Sequence, residues 1–525
     1  MLKKIAENTY IHILLLIFVA VFTFLPTLEM FFYLDEWGNL YEFTHGDFKY
    51  SHFTTRIMHL LYLLFGVDAT GWFAVGIVVF AISVVAFYFF VRLLLKNKML
   101  ALIAGLIYAT TPVGTTTVTM IWTFIAEGGY PLNIALVVLL YTLLKYFQER
   151  KIFYFAFVFV AFMLFLELEP RRVFLFLPIL ILFDYLINFK KIIPNVGFMA
   201  RVLVLVTGFI AYNKYDVSLS KIISTGNIVF ADQTGYDWQT KLRLGVESPF
   251  HIQPLVTLTN ILLGGPWVFL SELLKEYINP MDVKQIYLLA VIVLAIAGAL
   301  VVIAWKTKRE WGLTALFSLG WIYFNIWGFY VFSSPGISDT THRTLSLSAP
   351  AYALFITLSG FALYSFLKKR KSRFSKKLNS IFVLALVFFL GLNFLATRYN
   401  FEKFNDFRSR PAQAFFKDLK NFYPILPANS ILYFQTPENP QIKYRLSRIY
   451  GGNNYGAGAT IAVFYPELIK EEINVTREYK DVEIFVENDP AKIDRVFVFY
   501  FDEKGLTDKT VEFRANYKES KPPLK

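Results

Sequence analysis

Residues 10–37 read YIHILLLIFVAVFTFLPTLEMFFYLDEW. The run from about Tyr10 to Leu28 is apolar and long enough to cross a bilayer core of about 30 Å. Just past its end stands an acidic pair, Asp35 and Glu36. With the N-terminus cytoplasmic, that pair lies on the outer face, level with the lipid headgroups. A carboxylate there can meet a lipid-linked substrate.

The rest of the chain repeats the apolar theme. Of its 525 residues, 56% are hydrophobic and only 17% are charged, which points to a polytopic membrane protein rather than a soluble one. The net charge of +13 is collected largely in short clusters between apolar runs, where it sets topology and carries no nucleic-acid signal. There is no cysteine, so disulfides, thiolate metal sites and cysteine nucleophiles are excluded. The first span has no small-x-small cleavage site and reads as a signal anchor.

About eleven spans are expected, near residues 10–28, 72–92, 99–119, 130–147, 152–168, 173–188, 197–213, 285–305, 312–332, 346–367 and 379–397. The basic clusters then share one side, from Lys3 and Lys4 to the run KKRKSRFSKK at 368–377. This holds if 254–274, with Gly264, Gly265 and Pro266 at its centre, is interfacial or re-entrant. Residues 1–400 form the transmembrane domain. Its outer loops are 29–71, 112–130 and 214–284. After residue 400 the composition turns polar, and 401–525 is expected to be a small extracytoplasmic α/β domain. There SILYF, ATIAVFY, VEIFVE and RVFVFYF read as strands and PAQAFFKDLKNFY as an amphipathic helix.

Asp35 and Glu36 are the first candidates for chemistry, set against the bland alternative of polar residues where a helix leaves the membrane. The loop continues through His52 and Arg56 into HFTTRIMHLLYLLFG, an amphipathic helix too short to span. An acid held between the first span and such a helix is partly dry, so its pKa can be tuned for base work. In LELEPRRVF, Pro170 starts a new helix, and Arg171 and Arg172 fall at its N-terminus on the outer side. They read either as a salt-bridge cluster with Glu167 and Glu169 or as a phosphate clamp. Glu127, in FIAEGGYP, is a solvated turn residue or a second carboxylate facing Asp35, for acceptor positioning or a divalent cation such as magnesium or manganese. In SSPGISDTTHRT, Asp339, His342 and Arg343 are candidates for binding phosphate or sugar. No Walker loop, zinc spacing, G-x-S-x-G or dinucleotide fingerprint is present, and no metal site or required cofactor is read.

With these residues in order, the chain resembles the GT-C superfamily of integral-membrane glycosyltransferases. Protein O-mannosyltransferases and the aminoarabinose transferase belong to it. YLDEW after the first span, LLYLLFGVDATGWF closing the interfacial stretch and YATTPVGTTTVTMIW at the third span carry the resemblance, over roughly residues 1–220. It implies a polyprenyl-phosphate-sugar donor used on the outer face of the plasma membrane. The acceptor would be a glycan, lipid or protein hydroxyl. It also implies that Asp35 is the catalytic base, with Glu36 in the second position of the acidic pair. Glu127 lies in the loop that carries a second acid in several members. No WWD-like motif is present, which counts against transfer to asparagine and against an obligatory metal. One carboxylate can take the acceptor proton, and single displacement inverts the anomeric centre. The competing expectations are a polymerase or ligase using polyprenyl-diphosphate carriers, a lipid or glycan transporter, and a non-catalytic scaffold.

Overall fold

The computed structural model describes residues 8–33, 36–46, 53–126, 128–168, 173–188, 196–215, 243, 247, 251–273, 283–333, 337–370, 375–451, 456–487 and 489–520. Asp35, Glu127, His52, Arg171 and Arg172 lie outside them.

The described residues are mainly helical, with one small sheet. In chain order the membrane-type region contains α1 (Thr9–Phe24), α2 (Glu36–His45), α3 (Phe53–Phe65), α4 (Ala69–Leu95), α5 (Lys98–Thr110), α6 (Ile121–Ile125) and α7 (Tyr130–Glu149). There follow α8 (Ile152–Leu168), α9 (Phe176–Phe183), α10 (Val196–Tyr215), α11 (Ile252–Leu273), α12 (Val283–Thr307), α13 (Arg309–Ser333), α14 (Ala349–Arg370) and α15 (Ser375–Phe404). Among the described residues, six stretches are long and apolar enough to cross a membrane: Thr9–Glu29, Ala69–Leu95, Ile121–Glu149, Lys284–Thr307, Arg343–Lys369 and Lys377–Phe422. The other expected spans fall on helices that are shorter or less uniformly apolar.

Several helices expose apolar stripes. On α1, Tyr10, Leu14, Phe18 and Phe22 recur every four residues and face outward, while Leu16, Ala20 and Phe24 are buried. This arrangement suits lipid outside and protein inside. On α3 the exposed side chains include Leu60, Leu63 and Leu64, so the expected amphipathic helix is present and presents leucines outward. One group of polar side chains inside the bundle is mutually paired. The Tyr108 hydroxyl meets Ser83 Oγ at 2.7 Å and accepts from Asn133 Nδ2 at 2.9 Å, and Asn133 also donates to the Ser346 carbonyl at 3.0 Å.

One expectation in this region changes. The third span, expected over 99–119, ends at Thr110. Pro112 holds Thr111 in an extended conformation, and Gly114 turns the chain at φ +70° into a 3₁₀ turn, Thr115–Thr119. Ahead of the expected amphipathic helix, Glu36–His45 forms α2. The 254–274 segment is a helix broken at Gly264, whose φ of 59° and ψ of −147° interrupt α11.

Helix α15 runs through a π turn, Asn405–Ser409, into α16 (Arg410–Phe422), the amphipathic helix read from PAQAFFKDLKNFY. Beyond it lie β1 (Ser430–Gln435), α17 (Pro440–Tyr450), α18 (Ala457–Ala462), β2 (Ile473–Thr476), α19 (Tyr479–Glu487), β3 (Val496–Asp502), β4 (Gly505–Asp508) and α20 (Thr510–Ser520). The sheet order is β2-β1-β3-β4; β1 pairs in parallel with β2 and β3, and β4 is antiparallel to β3. Two of the four expected strands are corrected. ATIAVFY contributes to α18, and VEIFVE lies in α19, where Val482 and Val486, four residues apart, share the buried face. Both stretches serve as the helical crossovers that parallel strands require.

Candidate functional site

Segments expected on the outer side converge on one cavity of about 460 Å³. The 3₁₀ turn contributes Thr115, Thr116 and Thr119, and α11 contributes Asn260 and Trp267. The 339–341 loop forms another wall, and the end of α15 with the turn after it supplies Asn400, Lys403, Phe404, Phe407 and Arg408.

Main-chain pairing holds these walls together. Gly114 N donates to Thr340 O at 2.9 Å and Thr116 N to Thr341 O at 2.9 Å. A side chain at position 114 would meet Ser346 N at 2.2 Å, so only glycine fits. Thr340 Oγ1 donates to Asn260 O at 2.6 Å, and Asn260 Nδ2 to Ser338 O at 2.9 Å. Thr116 and Thr119 each spend their hydroxyl proton on a carbonyl, at 2.8 and 2.7 Å. Their oxygens keep lone pairs for donors such as sugar hydroxyls.

Lys403 and Arg408 make part of the lining cationic. Arg408 lies over the Tyr33 ring at 4.5 Å and the Phe404 ring at 5.2 Å. It also lines a narrow adjoining cleft with Tyr33 and Arg448. Burial raises the Tyr33 pKa, and the positive charges of Arg408, Arg448 and Arg343 pull it the other way. The phenol therefore stays protonated at neutral pH.

Glu36 is 1% exposed at the first residue of α2. Its Oε2 accepts from Tyr33 N at 2.7 Å, and its Oε1 accepts from Ile121 N, the first amide of α6. Glu36 N in turn donates to Tyr33 O at 3.3 Å. This carboxylate thus ties residues 33 and 36 to the segment that follows the threonine wall. The geometry gives Glu36 a positioning task.

The remaining described candidates divide. Asp339 lines the cavity, but one of its oxygens accepts from Thr341 N and Oγ1, both at 2.7 Å, closing its own turn. His342 Nδ1 lies 2.8 Å from Thr344 Oγ1, where the ring caps the following 3₁₀ turn. The Arg343 guanidinium reaches Met120 Sδ. Arg56 is exposed on α3 and does not line the cavity.

Lys403 and Arg408 were not singled out from the sequence. The signal was there: Arg398, Lys403, Arg408 and Arg410 follow the last expected span, on the side expected to be the outer one, where basic residues are disfavoured. Neither a protein-family model nor a curated protein matches the chain.

Proposed function

We propose that this chain is an integral-membrane glycosyltransferase of GT-C type, with about eleven crossings and an extracytoplasmic C-terminal domain. It moves a sugar from a polyprenyl-phosphate donor to an acceptor hydroxyl at the outer face of the plasma membrane.

The observation that carries this reading is the cavity, which sets a hydroxyl-rich wall against Lys403 and Arg408 beside Tyr33. Tyr33 is two residues from Asp35. Asp35 takes the acceptor proton as the acceptor oxygen bonds to the anomeric carbon. The bond from that carbon to the phosphate oxygen breaks, and the configuration inverts. The electron pair leaves on polyprenyl phosphate, which needs positive charge more than a proton donor. Lys403 and Arg408 supply that charge, and Arg171 and Arg172 are further cations for the same anion. Glu36 holds the Asp35 segment in register through Tyr33 and Ile121. Glu127 is proposed as a second acid for acceptor positioning.

The test is donor turnover by full-length protein in liposomes supplied with polyprenyl-phosphate sugars and a mixed acceptor extract. Release of free polyprenyl phosphate that falls in Arg408→Gln supports the reading; no release with any donor contradicts it.

A further inference from the structure

Beside the cavity the C-terminal domain places two more guanidinium groups, one in the adjoining cleft and one behind a cavity wall. Arg445 lies on α17 over the Phe407 ring at 5.3 Å, and Phe407 is a cavity wall. Arg448, one turn further along, lies over the Tyr444 ring at 5.0 Å and faces the cleft shared with Tyr33 and Arg408. Arg343, at the start of the 3₁₀ turn before α14, reaches Sδ of Met120, the residue after the cavity wall Thr119. Among the described residues, none of Arg343, Arg408, Arg445 and Arg448 has a carboxylate within ion-pair distance. The Nε of Arg445 is buried and has no hydrogen-bond partner.

Solitary surface arginines need no explanation, but this group differs from them. Its members come from three separate parts of the chain, and two of them, Arg408 and Arg448, line the same cleft as Tyr33. Stacking on aromatic faces strips part of the water from Arg408, Arg445 and Arg448, and like charges repel one another in that drier setting. Guanidinium groups so arranged match the oxygens of phosphate. A donor linked through one phosphate carries a single negative charge, for which Lys403 and Arg408 suffice.

We propose that Arg343, Arg445 and Arg448 form a second anion subsite beside Arg408, split between the membrane region and the C-terminal domain. It takes a phosphate group beyond the single phosphate of the donor; only this naming of the first phosphate rests on the glycosyltransferase reading. The second phosphate is carried either by the acceptor or by a diphosphate carrier.

The test is equilibrium binding to full-length protein in phosphatidylcholine nanodiscs, with farnesyl phosphate, farnesyl diphosphate and inorganic phosphate as probes. The variant is R445Q/R448Q, its folding checked by thermal unfolding, with R343Q as an independent second variant. A diphosphate source predicts farnesyl diphosphate binding about tenfold or more tighter than the monophosphate, a difference lost in the variants. An acceptor source predicts equal farnesyl affinities and inorganic phosphate binding alongside saturating farnesyl phosphate, again lost in the variants. Wild type showing neither effect, or variants binding every probe as wild type does, overturns the subsite. Because binding is read without turnover, failure of the transferase reading leaves a different record: normal probe binding with no polyprenyl phosphate released from any donor.

Discussion

The carboxylate of Glu36 accepts the main-chain N–H of Ile121, 85 positions further along the chain, while its other oxygen accepts from Tyr33. Both oxygens are buried with the residue. Glu36→Gln replaces one acceptor with an amide that points N–H at N–H. The expected loss is about 1–3 kcal/mol, read as a lower unfolding temperature in detergent. Donor turnover should fall with it, because the segment holding Asp35 loosens. A glutamine variant with wild-type stability and turnover would remove this positioning role.

Gly114→Ala tests the threonine wall. The φ of +70° costs an L-residue roughly 1–2 kcal/mol, and the added carbon meets backbone, which cannot swing aside. The variant should elute as aggregated or poorly folded protein on size exclusion. Gly360→Ala is the control: it lies in α14 with open space around it and should be neutral or slightly stabilising.

Asp184 and Arg201 form a buried pair, with Arg201 Nε 2.6 Å from Asp184 Oδ2 and Nη2 2.9 Å from Oδ1. Asp184→Asn leaves a buried guanidinium charge uncompensated, at a cost of about 3–5 kcal/mol. The double variant Asp184→Leu/Arg201→Met should recover most of that loss in thermal unfolding. Equal losses in the single and double variants would mean that shape, not charge, decides the site.

Much of this organisation was legible in the sequence. Apolar runs are strong signals, so helices lie where spans were expected, and β1, β3 and α16 match their patterns. Apolar runs that fit either helix or strand were misassigned: ATIAVFY and VEIFVE become helices because parallel strands need crossovers, a tertiary demand that local periodicity does not carry. The cavity was only half visible. Asp339 came from a recognisable polar loop, whereas Lys403 and Arg408 sit on a helical run that looks like an ordinary span end. Their convergence with Tyr33 depends on packing between residues far apart in the chain.

His45, the last residue of α2, joins that helix to the C-terminal domain. Its Nδ1 lies 3.0 Å from Tyr41 O, and its Nε2 lies 2.7 Å from Leu468 O. Lys470 N donates to the Tyr41 hydroxyl beside it, at 3.2 Å. His45→Ala should loosen this seam and speed amide hydrogen exchange over residues 468–476, leaving β3 unchanged. Unaltered exchange at the seam would show that the packing of Trp37 with Phe416 and Phe464 holds the domain alone.

The most direct test of the central claim compares wild type with Asp35→Asn in liposomes carrying polyprenyl-phosphate sugars, following free polyprenyl phosphate and donor binding together. The account predicts release by wild type and its loss in Asp35→Asn with donor binding retained. Equal release by both proteins would contradict it.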